Sequence, residues 1–466
     1  MKLSDMLANQ PPPLSIPGAR SEIRKRQDAS RKRLVVVDDD PTGTQTVDGV
    51  RVYMDWSEDL FRRALSANEP VFYVSTNSRA LSADEVKTLG RELGRNLSAA
   101  ALETNAKPLI ASRSDSTLRG HFPHEVEALA SGFGLDYDGV IIVPAFFEGG
   151  RFTIDDTHWV LQGEEMVSAE LTEFARDPVF GFRNANLKLW VEEKTSGAVS
   201  AASVRSISLD TIRTGGPEAV ANELMQTRNR QPVIVNAACY EDLEVFVIGL
   251  ILAESRGKSF IYRCAASFVK VRGGFENKPL LTSEEMQPGA GPGLVVVGSY
   301  VDRTSRQLEA LLQSGLATGV ELHVDPLLDP QTQAAEIERV VETAAERMAR
   351  GQSVAVYTSR ARRSVGQDKF LQMGQVIMSG LCEVVRRIPE KPGFLVAKGG
   401  ITSIEIARSG LGLKEGLVLG QILPGVPVWK LGGEALWSGI PYVVFPGNVG
   451  NEEALVDAVK TLRGGN

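Results

Sequence analysis

The residues Asp38-Asp39-Asp40-Pro41-Thr42-Gly43 end an apolar run, Val35 to Val37, with three consecutive carboxylates. Adjacent carboxylates at the end of a buried strand repel, which costs stability unless a cation or a proton relieves them. Such a group can take a proton from a hydroxyl, accept hydrogen bonds from a polyhydroxylated substrate, or hold a hydrated Mg²⁺. The competing reading is a plain turn, because Asp before Pro-Thr-Gly is common turn chemistry. Three in succession favour function. A second stretch, Ser112 to Pro123 (SRSDSTLRGHFP), crowds Arg113, Asp115, Ser116, Thr117, Arg119, Gly120 and His121 into one loop. Two arginines among hydroxyls can fork a carboxylate or a phosphate. The alternative is an Asp115–Arg119 pair that stitches the loop. The run YRCAASFVK brings Arg263 and Ser267 toward another strand end.

A different chemistry is spelled out later in the chain. GFLVAKGGITS runs from an apolar segment into Gly399, Gly400, Ile401, Thr402 and Ser403, then into a helical pattern. Glycines allow close backbone approach, and free N–H groups at a helix start attract phosphate. Thr402 with Glu405 also fits a capping box, so a well-capped helix is the plain alternative. Gly298-Ser299 at one strand end, Gly447-Asn448 at another and the turn Gly432-Gly433 repeat the theme. Several such loops in one region favour a nucleotide.

The elements that must position these residues follow from the apolar pattern. RLVVVDDD, PVFYVST, KPLIASRSD, GVIIVPAF, PVIVNAAC and KSFIYRCA read as short strands. Helical segments such as SADEVKTLGRELGRNLSAAALE and PHEVEALASGFG separate them. Strands alternating with helices predict a mostly parallel sheet covered on both faces. Residues 272–293 are rich in Gly and Pro and read as a linker. Beyond them LVVVGSY, GVELHVD, SVAVYTS, GFLVAKGG and PYVVFPGN alternate with helices again. The expected fold is α/β with two domains, each a mostly parallel sheet flanked by helices, and an active site in the cleft between them. The divisions are an N-terminal arm or surface helix at 1–30, a first domain at 31–271, the linker at 272–293 and a second domain at 294–466.

Composition sets limits. The chain has 466 residues, 43% apolar and 23% charged, with net charge −7. That length exceeds one ordinary core and the composition is that of a soluble globular protein. No basic tract with interleaved aromatics points to nucleic acid. Cys239, Cys264 and Cys382 lie far apart and the four histidines show no ligand spacing, which argues against structural zinc and for a reducing, cytoplasmic setting. The longest apolar runs are too short to span a bilayer, and the N-terminus has no secretory signal pattern. A homodimer is expected only from the prevalence of two-fold symmetry. Two tempting motifs fail. Gly257-Lys258-Ser259 lacks the P-loop glycine, Leu252 standing in its place, and Gly289 to Gly293 precedes its strand, the wrong order for a dinucleotide fingerprint.

Taken together and in this order, DDDPTGTQTV, SRSDSTLRGHFP, TEFARDPVFG, YRCAASF, KGGITS and FPGNVG resemble the four-carbon acid sugar kinase family, over roughly Leu34 to Leu462. The resemblance implies an N-terminal domain that binds a sugar acid such as threonate, erythronate or a 3-oxo-tetronate, and a C-terminal domain that binds ATP with Mg²⁺. By position, the family's Asp-Asp-x-Thr-Gly motif falls on Asp39, Asp40, Thr42 and Gly43, and its Arg-Ser-Asp-Ser-Thr-x-Arg-Gly motif on Arg113 to Gly120. The nucleotide contacts fall on Ser299, Gly399–Ser403 and Gly447. The better-known kinases usually have Phe where Pro41 stands and often Glu where Ile401 stands; with the extra Asp38, this places the chain on a divergent branch and leaves its substrate open. The implied catalytic group is Asp39 or Asp40, with Asp115 as the competing base and Arg113 and Arg119 on the acid's carboxylate. The direct metal ligands are left open. A non-catalytic sensor of sugar acid or nucleotide is the alternative from another class.

Overall fold

The computed structural model describes residues 2–67, 69–359 and 367–465. In chain order the strands of the first half are β1 (Lys32–Asp38), β2 (Arg51–Tyr53), β3 (Val71–Ser75), β4 (Lys107–Arg113) and β5 (Gly139–Val143), then β6 (Arg151–Ile154), β7 (Thr157–Gln162), β8 (Glu165–Ser168) and β9 (Arg205–Ile207). Those of the second half are β10 (Gln231–Val235), β11 (Phe260–Cys264), β12 (Gly293–Val297), β13 (Thr318–Leu322) and β14 (Val354–Thr358), then β15 (Phe394–Lys398), β16 (Glu415–Leu423), β17 (Val426–Leu431) and β18 (Pro441–Phe445). The chain divides into two compact units. One is Met1–Gly43 with Asp55–Asn277, the other Thr44–Met54 with Lys278–Asn466.

In the first unit β3, β1, β4, β11, β5, β10 and β9 lie side by side, all parallel. Their apolar residues are buried on both faces, as a helix-covered parallel sheet requires. The flanking helix Ala83–Thr104 starts at a capping box between Ser82 and Glu85, as its Ser-x-x-Glu spacing predicts. β6, β7 and β8 form a separate antiparallel sheet, although GGRFTIDDTHWV, polar and glycine-containing, reads from sequence as a loop or lid. Its first turn is Asp155-Asp156, both at positive φ, a hairpin turn that a right-handed strand twist favours.

Two boundaries differ from the sequence reading. The helix Ala19–Ser30 is not outside the core: Ile23 is fully buried and Ala19 nearly so. Arg20 donates to Glu244 at 2.7 Å and to the Phe275 carbonyl at 3.1 Å, and Gln27 to the Pro70 carbonyl at 2.7 Å. A strongly charged composition hides this one docked face. The stretch read as a linker is divided: residues 272–277 belong to the first unit and 278–293 to the second. There Met286 is buried, and the Leu281 N–H donates to the Gln421 carbonyl at 2.7 Å.

In the second unit β13, β14, β12, β15 and β18 are parallel, in that order. β17, β16 and β2 continue the sheet antiparallel. The Thr-Gln-Thr continuation after Gly43 thus serves the second unit. Thr44 accepts a 3.0 Å hydrogen bond from the buried Trp429 indole, and residues 51–53 pair with β16.

Candidate active site

Because the strands of the first unit are parallel, their carboxyl ends share one edge. β1 lies between β3 and β4, with Asp38 level with Ser75 on one side and Arg113 on the other. That register answers the charge problem. Arg113 Nη1 donates to Asp38 Oδ1 at 3.1 Å and stands 3.8 Å from Asp39 Oδ1. Arg79, in the turn after β3, forks Asp39 through Nη2 at 2.6 Å and Nε at 3.1 Å. Its Nη1 reaches Asp40 Oδ2 at 3.1 Å and lies 4.0 Å from Asp115 Oδ1. Arg119 Nε donates to Asp115 at 2.8 Å, and Arg119 Nη1 is 3.5 Å from Asp177. The Thr117 hydroxyl donates to Asp115 as well.

The carboxylates are not equivalent. Burial drives the Asp38 pKa up to about 7; Arg113 offsets this in part while Asp39 and Asp40 add repulsion. Burial also acts on Asp40, but Arg79, Arg113 and the Thr42 hydroxyl and N–H outweigh it and its pKa falls. Asp115 is held well below the usual carboxylate range, since Arg79 and Arg119 outweigh its burial. Asp40 Oδ1 accepts from the Thr42 N–H at 2.8 Å and hydroxyl at 2.6 Å, which closes the turn. Gly43 passes so near the Asp38 carboxylate that a Cβ would collide with it.

The remaining predicted residues separate. Gly120, at φ +124°, borders Asp39 and Ser114. The Ser116 carbonyl lies 2.7 Å from Nε2 of His158, a buried β7 histidine whose pKa burial lowers to about 4. Arg263 is fully buried over the Trp190 ring and donates to the Arg119 carbonyl at 3.2 Å, while its Nε and Nη1 have no partner. Arg113, expected to face a ligand carboxylate, is instead buried against Asp38, because the strand register turns it onto its neighbour. Ser267 belongs to another cluster. It accepts from the Phe147 N–H at 3.0 Å and lies 3.5 Å from Glu148 and from Tyr240. Arg79, His158 and Asp177 are the participants that the sequence reading does not assign.

In the second unit the ends of β12, β15 and β18 bring Ser299, Gly399 and Gly447 into contact. A Cβ at Gly399 would stand 2.9 Å from the Thr402 hydroxyl and 3.0 Å from Ser299 Cβ; one at Gly447 would stand 2.9 Å from Ser299 Oγ. Thr304 donates to the Gly447 carbonyl at 2.9 Å, and Arg303 to the Asn448 carbonyl at 2.7 Å. The helix that starts at Gly400 has no side-chain cap, so the Thr402–Glu405 box is not formed. Instead the Ser403 hydroxyl turns back to the carbonyls of Ala397 and Gly399, each at 2.8 Å. The first helical amides, Gly400 to Thr402, have no acceptor within the helix, and Ile401 stands exposed beside them. Lys398, fully buried, donates to the Pro446 carbonyl at 2.6 Å and lies over the Phe445 ring; burial, with Arg303 nearby, lowers its pKa to about 7. Gly432 and Gly433 do not join this group. They follow β17, which runs antiparallel to β18, so they sit at the opposite edge of the sheet.

Among the described residues no three His, Cys, Asp or Glu side chains are arranged to hold a metal ion. Among them, too, no helix is long and apolar enough to cross a membrane.

Residues 34–272 match the model of a sugar-binding N-terminal domain, and residues 294–455 that of a nucleotide-binding C-terminal domain. The chain belongs to the four-carbon acid sugar kinase family. Like other members of this family it is a phosphotransferase. A D-erythronate kinase of Heliobacterium modesticaldum is 26% identical over 413 residues, 84% of this chain and 87% of the relative. A D-threonate kinase of Salmonella typhimurium is 23% identical over 456 residues, 92% and 97% of the two chains. A solved Haemophilus influenzae protein superposes with a TM-score of 0.61 at 17% identity, covering 92% of this chain and 100% of that one. A second solved chain, from Salmonella typhimurium, gives a TM-score of 0.68 at 17% identity, covering 92% and 98%. At that identity the structural likeness shows the family's fold alone.

Proposed function

We propose that this kinase transfers the γ-phosphoryl group of ATP to a hydroxyl of a four-carbon sugar acid of the erythronate or threonate kind. One observation carries the reading. The first unit's strand edge gathers Asp39, Asp40 and Asp115, each against an arginine. Ionised carboxylates accept hydrogen bonds from the hydroxyls of a polyol, and the arginines paired with them hold them in place. The names of the relatives point the same way.

Asp40 is the best-placed base. Its side chain is 21% exposed, against 3% for Asp39 and 12% for Asp115. A hydroxyl of the acid would lose its proton to Asp40 as its oxygen bonds to the γ-phosphorus and the bond to the ADP oxygen breaks. An ordinary aspartate suffices, because phosphoryl transfer depends on positioning and electrostatics. Asp39 would orient the same hydroxyl and Asp115 a neighbouring one. In the second unit the Gly400–Thr402 amides and the turn at Gly447 would face the phosphates, with Lys398 beneath them. The residues do not fit a protein-built Mg²⁺ cage, since Asp39, Asp40 and Asp115 already face arginines. The ion would arrive on the nucleotide.

The experiment is ADP release from MgATP with the stereoisomers of threonate, erythronate and their 3-oxo forms. Release with one acid and not its epimers is expected. Asp40→Asn should lower turnover about 10²- to 10⁴-fold while ATP still raises Tm. Near-normal turnover would sink the assignment of the base.

A further inference from the structure

Resting on this function, one question is which cations grip the acid's carboxylate. Arg113 cannot, being buried against Asp38 and Asp39. Arg119 is committed to Asp115 and Asp177. We propose that Arg151, at the start of β6 in the small antiparallel sheet, is the residue that forks the substrate carboxylate and selects acids over neutral polyols.

Two observations carry this. Arg151 and Arg119 lie against one ring: their guanidinium carbons are 5.8 and 5.1 Å from the centre of Phe174. Two cations beside one aromatic ring attract an anion that can reach both. In addition Arg151 has an unsatisfied donor. Its Nη1 donates to the Gly149 carbonyl, whereas its Nε is buried without a partner. Among the described residues it forms no ion pair. Asp115 and Glu173 attract its charge and Arg119 repels it, while burial, the largest influence, lowers its pKa. Arg151 is therefore a half-buried cation beside Asp115 that lacks a bound carboxylate, and the planar fork of arginine matches one bidentately. The small sheet thus supplies the specificity contact that the first unit's strand edge does not.

The test is calorimetric binding of the preferred acid without ATP, in the unaltered chain, Arg151→Met and Arg151→Lys, alongside the four-carbon polyol that lacks the carboxylate. A lost charge-assisted fork should weaken acid binding about 10- to 100-fold in Arg151→Met. Arg151→Lys should recover part of this, polyol binding should not change, and KM should rise far more than kcat falls. Equal acid binding by the unaltered chain and Arg151→Met, at unchanged Tm, overturns the inference alone. Absence of acid binding by the unaltered chain overturns the function reading and this inference with it.

Discussion

The two units end their parallel strands in opposite ways. The first crowds Asp38, Asp39, Asp40 and Asp115 against Arg79, Arg113 and Arg119. The second ends in glycines and hydroxyls, with one buried cation, Lys398, that has no carboxylate partner among the described residues. The contrast follows from what each must bind. A sugar acid offers hydroxyls and a carboxylate, which need side chains of both signs at fixed places. A phosphate chain offers acceptor oxygens along its length, which backbone N–H groups satisfy if no Cβ stands in the way. In the first edge, charges are neutralised internally before any ligand arrives. In the second, a buried amine whose pKa burial lowers to about 7 is left for the ligand's phosphates to hold protonated.

Applying one operation to both edges gives the largest expected difference. Arg113→Met leaves Asp38 buried beside Asp39 without its cation, and unfolding in urea should show a loss of about 3–5 kcal/mol. Lys398→Met removes a buried amine whose partners are a carbonyl and an aromatic ring, so stability without nucleotide should be unchanged or higher, while the ATP-induced rise in Tm shrinks. A loss of several kcal/mol from Lys398→Met would mean that its carbonyl bond is structural and the contrast between the edges is false.

A comparable but separable effect concerns pH. Asp38 titrates near 7 in the fold against an ordinary 3.8, so the folded chain keeps a proton that the unfolded chain has lost, and stability falls as pH rises from about 4 to 7. Lys398 also titrates near 7, against an ordinary 10.5. There the unfolded chain keeps the proton, and stability rises from pH 7 to about 10.5. Each limb has a slope of at most about 1.4 kcal/mol per pH unit. Urea midpoints across this range should show Asp38→Asn flattening only the acid limb and Lys398→Met only the alkaline one. If either substitution flattened both limbs, the two buried charges would not be independent.

What the sequence could and could not convey is visible at single residues. β1, β3, β4, β5, β10 and β11 are apolar runs, because strands buried on both faces need little alternation. The aspartates and the Ser112–Pro123 loop stand out because strand ends have no packing reason to be so polar. Arg79 does not stand out. It lies in an ordinary turn, and only the placement of β3 beside β1 brings it onto Asp39. β6 to β8 were legible in principle, since Asp155-Asp156 and Glu164 after Gly163 mark two turns, but their short, half-exposed strands read as loop. Which way Arg113 turns follows from register, which composition does not encode.

Gly432 and Gly433 show the same limit from the other side, and they set the smallest prediction. Their glycines read like the other turns, but a glycine says nothing about strand direction. β17 runs against β18, pairing Lys430 with Pro441 at the start of β18, so the turn after it cannot reach the loops after Phe445 and Lys398. A Cβ on Gly433 would meet nothing within 4 Å, and its φ needs no glycine. Gly433→Ala should therefore alter stability by no more than about 0.5 kcal/mol and leave the ATP-induced rise in Tm intact. If that rise disappears while the fold remains, the turn contributes to nucleotide binding after all, and the phosphate edge is wider than the three loops at Ser299, Gly399 and Gly447.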